Sequence, residues 1–401
     1  MMDVTKIRQD FPIYQKHPNL KYLDSAASAL KVQTVVDAID RYYTTLGVNV
    51  HRGAYDLAYE ATKLYEDARS TVAAFIGASP DEIIFTRGTT SSLNMVANAY
   101  RDILKPGDEI ITTELEHHSS ILPWMKVAQK TGAKLIYIPL TVEGRITVES
   151  FEKVLSKRTR VVVITHVSNA MGYLTPAAEI IRLAHQHQAV VVLDGAQAVP
   201  HMSVDVKALD ADYYAFSGHK MFGPSGVGVL YGKVKLLNTL EPFEFGGEMV
   251  DQVFKDSFTY KDAPLRFEAG TPVISGAIGL AAAIDYIRSI GYEKMHEHTH
   301  RLHQYTLLKL KSLPGITLYN PTADQAIITF NVDGIHPHDI ATMLDQDQVN
   351  VRAGHHCAQL VNQFLGVTAT LRASFQIYNS IEDCDAFIQA VIVARDFFQA
   401  F

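Results

Sequence analysis

Stretches with helical spacing of apolar residues alternate with short, continuously apolar runs in the first part of the chain. Over residues 60–76, Leu64, Ala68 and Val72 recur at intervals that place them on one face of a predicted helix. The next run, 83–86, is apolar up to its last residue and is typical of a buried strand. Because such runs lack strict polar alternation, both faces of these strands should be covered. The pattern therefore predicts a mostly parallel sheet between layers of helices.

The alternation continues and then changes character beyond about residue 280. Strands are predicted over 109–113, 134–139, 161–166, 190–194 and 213–217, with helices over 90–100, 119–130, 150–155 and 177–188. The later part predicts helices over 276–290 and 292–313, strands over 326–332, 349–352 and 370–375, and a final helix from Ile381.

The length of the chain, 401 residues, exceeds the roughly 250–300 residues at which one hydrophobic core stops growing. We therefore expect two domains. The large α/β domain is placed over residues 20–280, and the small α+β domain over residues 281–401, with the N-terminal residues 1–19 added to it.

Composition and charge narrow the class of protein. Hydrophobic residues make up 47% and charged residues 20%, so we expect packed cores rather than disorder. The net charge is −7 and no segment concentrates Lys or Arg, which argues against nucleic acid or a membrane as a partner. Apolar runs are shorter than the ~18 residues of a membrane span, and the first residues lack the apolar core of a signal peptide. Together with only two cysteines, these features predict a cytoplasmic protein that acts on a small molecule.

Polar residues follow several predicted strands, at the edge where parallel sheets bind ligands. Asp194 ends an apolar strand, and a buried carboxylate is costly unless a cation faces it. Lys220 follows the next strand in a glycine-containing turn, where burial would lower its pKa and make it an amine nucleophile. Taken singly, Asp194 could cap a helix and Lys220 could be a surface lysine. Their shared position at strand ends favours chemistry.

A second cluster has the features of a phosphate site. The segment 87–92 lies between a strand and a helix, so its N–H groups, its hydroxyls and the positive helix end could hold a phosphate. Ser217 and His219 would converge on the same anion. Helix capping would explain these hydroxyls equally well. The dinucleotide and Walker glycine motifs are absent, which argues against dinucleotides and nucleoside triphosphates.

Cys357 follows two adjacent histidines in a glycine turn with Arg352 nearby, surroundings that favour the nucleophilic thiolate. A metal site built from these histidines, Cys357, His117 and His118 is an alternative, but adjacent ligands lack the spacing of zinc sites. A buried, inert thiol is the other alternative. It suits Cys384 better, since Cys384 lies in a helical pattern without an activating neighbour.

The combined motifs resemble the class V aminotransferase branch of the fold type I pyridoxal phosphate (PLP) enzymes. Within it they are similar to the group II cysteine desulfurases of the SufS and CsdA type, also called selenocysteine lyases. Three motifs carry the resemblance in the family's order and spacing: Asp194-Gly195-Ala196-Gln197, Ser217-Gly218-His219-Lys220 and Arg352-Ala353-Gly354-His355-His356-Cys357-Ala358. The resemblance covers nearly the whole chain, and it implies a mostly parallel seven-stranded sheet in the large domain and PLP as the cofactor.

The resemblance also implies a role for each matching residue. Lys220 would bind PLP covalently and move the substrate Cα proton, His117 would stack on the cofactor ring, and Cys357 would attack the substrate sulfur and become a persulfide as alanine leaves. The remaining implied contacts are Asp194 and Gln197 to the ring, Thr89, Thr90, Ser217, His219 and a second subunit's Thr271 to the phosphate, and Arg372, Asn169 and Arg352 to the substrate.

The same resemblance implies a homodimer with shared sites, L-cysteine or selenocysteine as substrate, no metal, and a SufE- or CsdE-like sulfur acceptor in iron–sulfur cluster assembly. The short segment between Ala358 and Arg372 matches the group II arrangement, which places the cysteine near the cofactor. Ser91 departs from the family, which commonly has glutamate there. These motifs do not distinguish cysteine, selenocysteine and cysteine sulfinate, or the SufS and CsdA subtypes.

Two other functions are compatible with parts of the pattern. A different class V activity, as in an aminotransferase or kynureninase, would use Asp194 and Lys220 but would not need Cys357. A catalytically silent binding protein could retain the fold, although the intact lysine argues against it. Dependence of the activity on Cys357 distinguishes the desulfurase from the other class V enzymes, and a cofactor absorption band distinguishes it from a silent binding protein.

Overall fold

The computed structural model describes residues 2–400. The helices are Val4–Gln9 (α1), Ile13–Lys16 (α2), Gln33–Arg41 (α3), Asp56–Phe75 (α4), Thr89–Tyr100 (α5), His118–Thr131 (α6), Val148–Glu152 (α7), Ala177–Gln186 (α8), Val234–Leu237 (α9), Ile274–Ile290 (α10), Tyr292–Lys311 (α11), Pro337–Gln346 (α12), Gln359–Leu365 (α13) and Ile381–Gln399 (α14). The strands are Lys21–Tyr22 (β1), Ile83–Thr86 (β2), Glu109–Thr112 (β3), Lys134–Tyr137 (β4), Thr159–Thr165 (β5), Val190–Asp194 (β6), Tyr213–Ser217 (β7), Gly228–Gly232 (β8), Val250–Val253 (β9), Phe258–Tyr260 (β10), Ile316–Leu318 (β11), Ile327–Val332 (β12), Val349–Asn350 (β13), Arg352–Gly354 (β14) and Thr370–Ser374 (β15).

Seven strands form the central sheet, in the order β2-β8-β7-β6-β5-β3-β4. The neighbours from β7 to β4 pair in parallel, whereas β8 runs antiparallel to both β2 and β7. The continuous Val and Ile runs of the inner strands are buried, as expected for strands covered on both faces. The predicted mostly parallel seven-stranded α/β fold is confirmed. The antiparallel strand β8 is an addition that the pattern did not predict.

The carboxyl ends of β5, β6 and β7 lie side by side at one edge of this sheet. The register places Thr165 beside Asp194, and Asp194 beside Ala215. Ser217 ends β7, and a single 3₁₀ turn over Gly218–Lys220 follows it. The sheet thus brings together residues that are far apart in the chain.

A second sheet has four antiparallel strands in the order β11-β12-β15-β14, with α11 and α12 packed against it. Near the start of the chain, β1 pairs in parallel with β13, so that Lys21 lies opposite Val349. The N-terminal segment is therefore attached to the later part of the chain, and the domain boundary near residue 280 stays a prediction. Over residues 2–400 no helix is long and apolar enough to cross a membrane.

Candidate active site

A cavity of about 260 Å³ opens at the carboxyl ends of the central strands. Twelve of the thirteen residues predicted from the sequence line it: Thr89, Thr90, His117, Asn169, Asp194, Gln197, Ser217, His219, Lys220, Arg352, Cys357 and Arg372. Thr271 does not line it. This threonine lies in a separate recess beside Glu268, where its hydroxyl accepts a hydrogen bond from Asn49 at 3.4 Å.

Asp194 and Lys220 form the floor of the cavity. The Asp194 carboxylate is buried and accepts a hydrogen bond from the backbone N–H of Ala196 at 3.0 Å. Burial raises the pKa of Asp194, and the charge of Lys220 partly opposes that rise. Protein surrounds Lys220, although its side chain keeps some solvent contact through the cavity, and this burial lowers the pKa of its amine to about 8. A fraction of Lys220 is therefore an unprotonated nucleophile near neutral pH.

Close packing of the backbone holds this floor in place. Gly195 follows Asp194 and packs so tightly on the Tyr214 ring that an added Cβ would lie 2.0 Å from a ring carbon. Tyr214 in turn shares a 2.8 Å hydrogen bond with Nδ1 of His166. A larger residue at Gly195 would displace the strand end that carries Asp194.

His117 caps the N-terminus of α6 and faces the cavity as a neutral ring. Its Nδ1 accepts hydrogen bonds from the Ser119 backbone N–H at 3.1 Å and is 2.7 Å from the Ser119 hydroxyl. Burial, with the nearby charge of Lys220, lowers the pKa of His117 to about 3. The ring hydrogen is therefore on Nε2, and His117 can lie against an aromatic cofactor without carrying a charge.

Glu116, which precedes His117, was not predicted from the sequence. Its buried carboxyl oxygens accept hydrogen bonds from Ser120 Oγ at 2.7 Å and from the Thr165 backbone N–H at 2.8 Å. Burial raises the pKa of Glu116 to about 8. These bonds connect the first turn of α6 to the end of β5, and so fix the position of His117 relative to the sheet.

The residues predicted to form a phosphate cradle lie at the N-terminus of α5. The Thr89 backbone N–H donates to Ser217 Oγ at 2.8 Å, and the two side-chain hydroxyls are 2.7 Å apart. Gly88 precedes this helix with φ 148°, and its backbone touches Gly228, where an added Cβ would come within 2.4 Å. Free N–H groups of the first helical turn, together with these hydroxyls, are suited to an anion.

Two arginines share one carboxylate, Asp24, which was not predicted as a site residue. Arg352 donates to Asp24 through Nε at 3.1 Å and Nη2 at 2.9 Å, and Arg372 Nη2 donates to Asp24 Oδ1 at 3.2 Å. Arg372 also donates to the Asn169 carbonyl at 3.0 Å. The buried Nε of Arg372 has no partner among the described residues. The pair therefore keeps a net positive charge and a free donor, as recognition of a carboxylate requires.

Cys357 lies on an exposed turn at the cavity rim. Both His356 and Cys357 adopt left-handed backbone, with φ of 51° and 53°. The turn is held by the Asn169 side-chain amide, which donates to the His356 carbonyl at 2.7 Å, and by the His118 N–H, which donates to the Cys357 carbonyl at 2.7 Å. The expectation that both neighbouring histidines add positive charge is wrong for His356, because burial lowers its pKa to about 2.

The histidines around Cys357 are engaged with protein groups. His356 Nε2 lies 2.8 Å from the Thr370 hydroxyl, and His118 Nε2 accepts from the Gln359 backbone N–H at 3.1 Å. Throughout residues 2–400, no group of three or more His, Cys, Asp or Glu side chains is arranged to hold a metal ion. The alternative of a metal centre at Cys357 therefore has no structural support.

The residues that are present fit PLP. Asp194 makes no ion pair with any described Lys, Arg or His, and Gln197 has a buried Oε1 without a partner while its Nε2 donates to the Ala26 carbonyl at 2.6 Å. A buried carboxylate suits a protonated ring nitrogen, and the Thr89 and Ser217 hydroxyls suit a phosphate. A parallel sheet that carries a lysine, an aspartate and an anion cradle at one edge defines the fold type I class of PLP enzymes.

Comparison with known proteins specifies the family within that class. The profile of the class V aminotransferases matches residues 21–387. The chain is 49% identical over 402 residues to a protein from Halalkalibacterium halodurans named a probable cysteine desulfurase, with 99% of each chain covered. A protein of the same name from Staphylococcus epidermidis is 47% identical, with 99% of this chain and 98% of that one covered.

Solved structures agree with these relatives. The cysteine desulfurase CsdA from Escherichia coli matches with a TM-score of 0.93 and 40% identity, over 99% of each chain. An apo cysteine desulfurase from Thermococcus onnurineus matches with a TM-score of 0.94 and 41% identity, over 100% of this chain and 99% of that one. The chain belongs to the class V aminotransferase family, in its cysteine desulfurase branch, and is a PLP-dependent enzyme.

Proposed function

We propose that the protein removes sulfur from L-cysteine, or selenium from L-selenocysteine, releases L-alanine and carries the removed atom as a persulfide on Cys357. The observation that carries the proposal is that Cys357 lines the same cavity as Lys220, Asp194 and Arg372. An aminotransferase would use the last three residues and would not need a cysteine at the rim.

The arginine pair orients the substrate. Arg372, buried and with a free Nε, takes the amino acid carboxylate together with Asn169, while Arg352 stands at the outer side of the same cluster. When the carboxylate is bound there, the Cα of the substrate faces Lys220. The Lys220 amine then accepts the Cα proton and returns it. The lowered pKa of Lys220, about 8, suits a group that must exchange protons near neutral pH.

When bound, PLP supplies an electron sink that weakens the bonds to the substrate Cα. Lys220 holds it covalently, Asp194 and Gln197 hold the ring, His117 stacks on it, and Thr89, Thr90, Ser217 and His219 hold its phosphate. The Cys357 thiolate then forms a bond to the substrate sulfur while the Cβ–S bond breaks. The electron pair of that bond stays with the carbon, which is protonated to give alanine.

The persulfide must be unloaded before the next turnover. An acceptor thiolate attacks its outer sulfur, and the S–S bond electrons return to Cys357. From the resemblance to the group II desulfurases we infer that the acceptor is a SufE- or CsdE-like protein, and the exposed turn that carries Cys357 leaves the thiol within reach of such a partner. A cytoplasmic location stays a prediction from the composition.

We also propose a homodimer in which Thr271 completes the partner's phosphate cradle. Within one chain this threonine lies in a recess apart from the cavity. This position supports a role in which its side chain contacts the phosphate site of a second copy. A Thr271→Ala variant should bind PLP more weakly as a dimer. Monomers that keep full PLP affinity on dilution would contradict the proposal.

Alanine release from L-cysteine tests the central reaction. Wild-type protein should release alanine, and a SufE-like acceptor should accelerate the release, whereas Lys220→Ala should release none. Parallel assays with selenocysteine and cysteine sulfinate would set the substrate preference. Alanine release that is undiminished in Cys357→Ser would contradict the proposal and favour another class V activity.

A further inference from the structure

Lys31 is a partly buried cation with no acidic partner among the described residues. Its Nζ donates to the carbonyls of Ala29 at 2.6 Å and His219 at 2.9 Å, and to Ser28 Oγ at 3.2 Å. These neutral oxygens use all three ammonium hydrogens. Burial lowers the pKa of Lys31 to about 8. Because a buried charge without a counter-charge is costly, the arrangement points to an anion that completes it.

The hydrogen bonds around Ser28 connect Lys31 to the His219 ring. The His219 carbonyl already accepts from the Ala29 N–H at 3.0 Å and from Lys31, which occupies its two lone pairs. Ser28 Oγ is placed to donate its one hydrogen either to the same carbonyl, at 3.1 Å, or to His219 Nδ1, at 3.3 Å, and because the carbonyl already accepts twice we assign it to Nδ1. Nδ1 then accepts, and the neutral ring carries its hydrogen on Nε2.

His219 lines both the main cavity and the adjoining recess, beside Thr89 and Ser217. Burial, with the charges of Lys220 and Lys31, lowers the pKa of His219 to about 4, so the ring can donate a hydrogen bond but brings no charge. Arg87, the other cation of the recess, is exposed and is paired with Glu244 at 3.0 Å. Lys31 is thus a cation without an acidic partner among the described residues that bonds to the backbone carbonyl of His219.

We propose that Lys31 and Ser28 form a relay behind His219 that fixes its Nε2–H tautomer and supplies positive charge for binding the cofactor phosphate. The inference rests on the phosphate role proposed for His219. Lys31 and Ser28 act through that ring and are therefore positioning residues. The relay would explain how a neutral histidine contributes to binding a dianion beside a helix N-terminus and hydroxyls.

The first test compares PLP with pyridoxal, which has the same ring but lacks the phosphate. Full-length protein freed of cofactor is titrated with each compound, and binding is followed by absorbance. Lys31→Met should raise the Kd for PLP about tenfold or more and leave the Kd for pyridoxal unchanged. Lys31→Arg, which keeps the charge, should restore most of the PLP affinity.

Lys21→Met is the matched control, because Lys21 also donates to a backbone carbonyl, that of Asp347 at 3.0 Å, but Asp347, unlike His219, does not line the cavity. It should change neither Kd. If Lys31→Met weakens PLP and pyridoxal equally, or leaves PLP binding unchanged, the relay is refuted.

The second test needs no variant of Lys31, so it holds even if Lys31→Met fails to fold. Nitrogen-15 NMR of labelled histidines reports the tautomer of His219, with its resonance assigned as the one missing in His219→Gln. The wild-type ring should be the Nε2–H tautomer, and Ser28→Ala should shift it toward a mixture. An Nδ1–H ring in the wild type would overturn the proposal. Since neither test uses L-cysteine, failure of the desulfurase proposal would leave both results unaffected.

Discussion

Cys357 lies on an exposed turn after β14, whereas Cys384 is fully buried in helix α14. Cys357 lines the cavity with Arg352 and Arg372, and its backbone is left-handed. Cys384 has apolar neighbours and a hydrogen bond with Thr306, and burial raises its pKa to about 12. The contrast shows that the fold exposes one thiol at the cavity and packs the other into the core of the second sheet. Residue type alone does not make a sulfur carrier.

The largest expected effect is on sulfur transfer. Cys357→Ser should reduce desulfurase turnover by roughly 10³-fold or more, because the attacking atom is lost, while PLP binding persists. Cys384→Ser should leave turnover within about twofold. After incubation with L-cysteine and no acceptor, mass spectrometry should find about 32 Da added to the Cys357 peptide. If the added mass were found on Cys384 alone, Cys384 rather than Cys357 would be the sulfur carrier.

Alkylation should separate the two thiols next. With a pKa of about 12, Cys384 has a thiolate fraction of about 10⁻⁴ at pH 8, and its burial excludes the reagent as well. We expect iodoacetamide to modify Cys357 at least about 100-fold faster, as followed by peptide mass spectrometry. Raising the pH from 7 to 9 should leave Cys384 unmodified, since the neutral thiol persists until its raised pKa is approached. Similar alkylation rates at Cys357 and Cys384 would show that the two thiols do not differ in accessibility and reactivity.

A subtler change alters the surroundings of Cys357 without touching the thiol. Asp24→Asn removes the charge that holds Arg352 and Arg372 together, so the KM for L-cysteine should rise about tenfold while kcat changes less. Steady-state alanine release measures both constants. Asp333→Asn is a suitable control, because that exposed side chain bonds only to Thr317. A fall in kcat at constant KM would contradict the orienting role of Asp24.

The smallest effect on catalysis belongs to Cys384→Ala, which tests the packing role of the buried thiol. Removing the sulfur from the core of the second sheet should lower the free energy of unfolding by about 1–2 kcal/mol. Denaturant titration measures the loss, and alanine release should be unchanged. A drop in turnover without a drop in stability would give Cys384 a function that its surroundings do not indicate.

The local pattern of apolar residues was sufficient to predict most strands of the central sheet and the helices that cover it. The apolar runs predicted β2 and β6 with the same bounds as the structure, because strands covered on both faces leave a continuous signal. The antiparallel β8 was missed because its apolar run covers only three residues, 229–231, between Gly228 and Gly232; the backbone of Gly228 packs directly on Gly88. The seven strands and the cofactor came from the resemblance to a family rather than from periodicity.

Site residues that follow predicted strands could be predicted from the sequence. Site residues whose partners come from distant segments of the chain could not. Asp194, Ser217 and Lys220 each sit at a strand end, so topology alone placed them together. Asp24 and Lys31 gave no such signal, since their partners are supplied by pairings across the whole chain.

The Asp24 cluster joins segments that are far apart in the polypeptide. Asp24 is 328 residues from Arg352 and 348 from Arg372, and the pairing of β1 with β13 brings them together. During synthesis on the ribosome, the strand ends of the central sheet emerge long before either arginine does. The pocket proposed for the substrate carboxylate is therefore assembled only after the segment that carries both arginines has been made, so a chain that terminates before Arg372 would lack it.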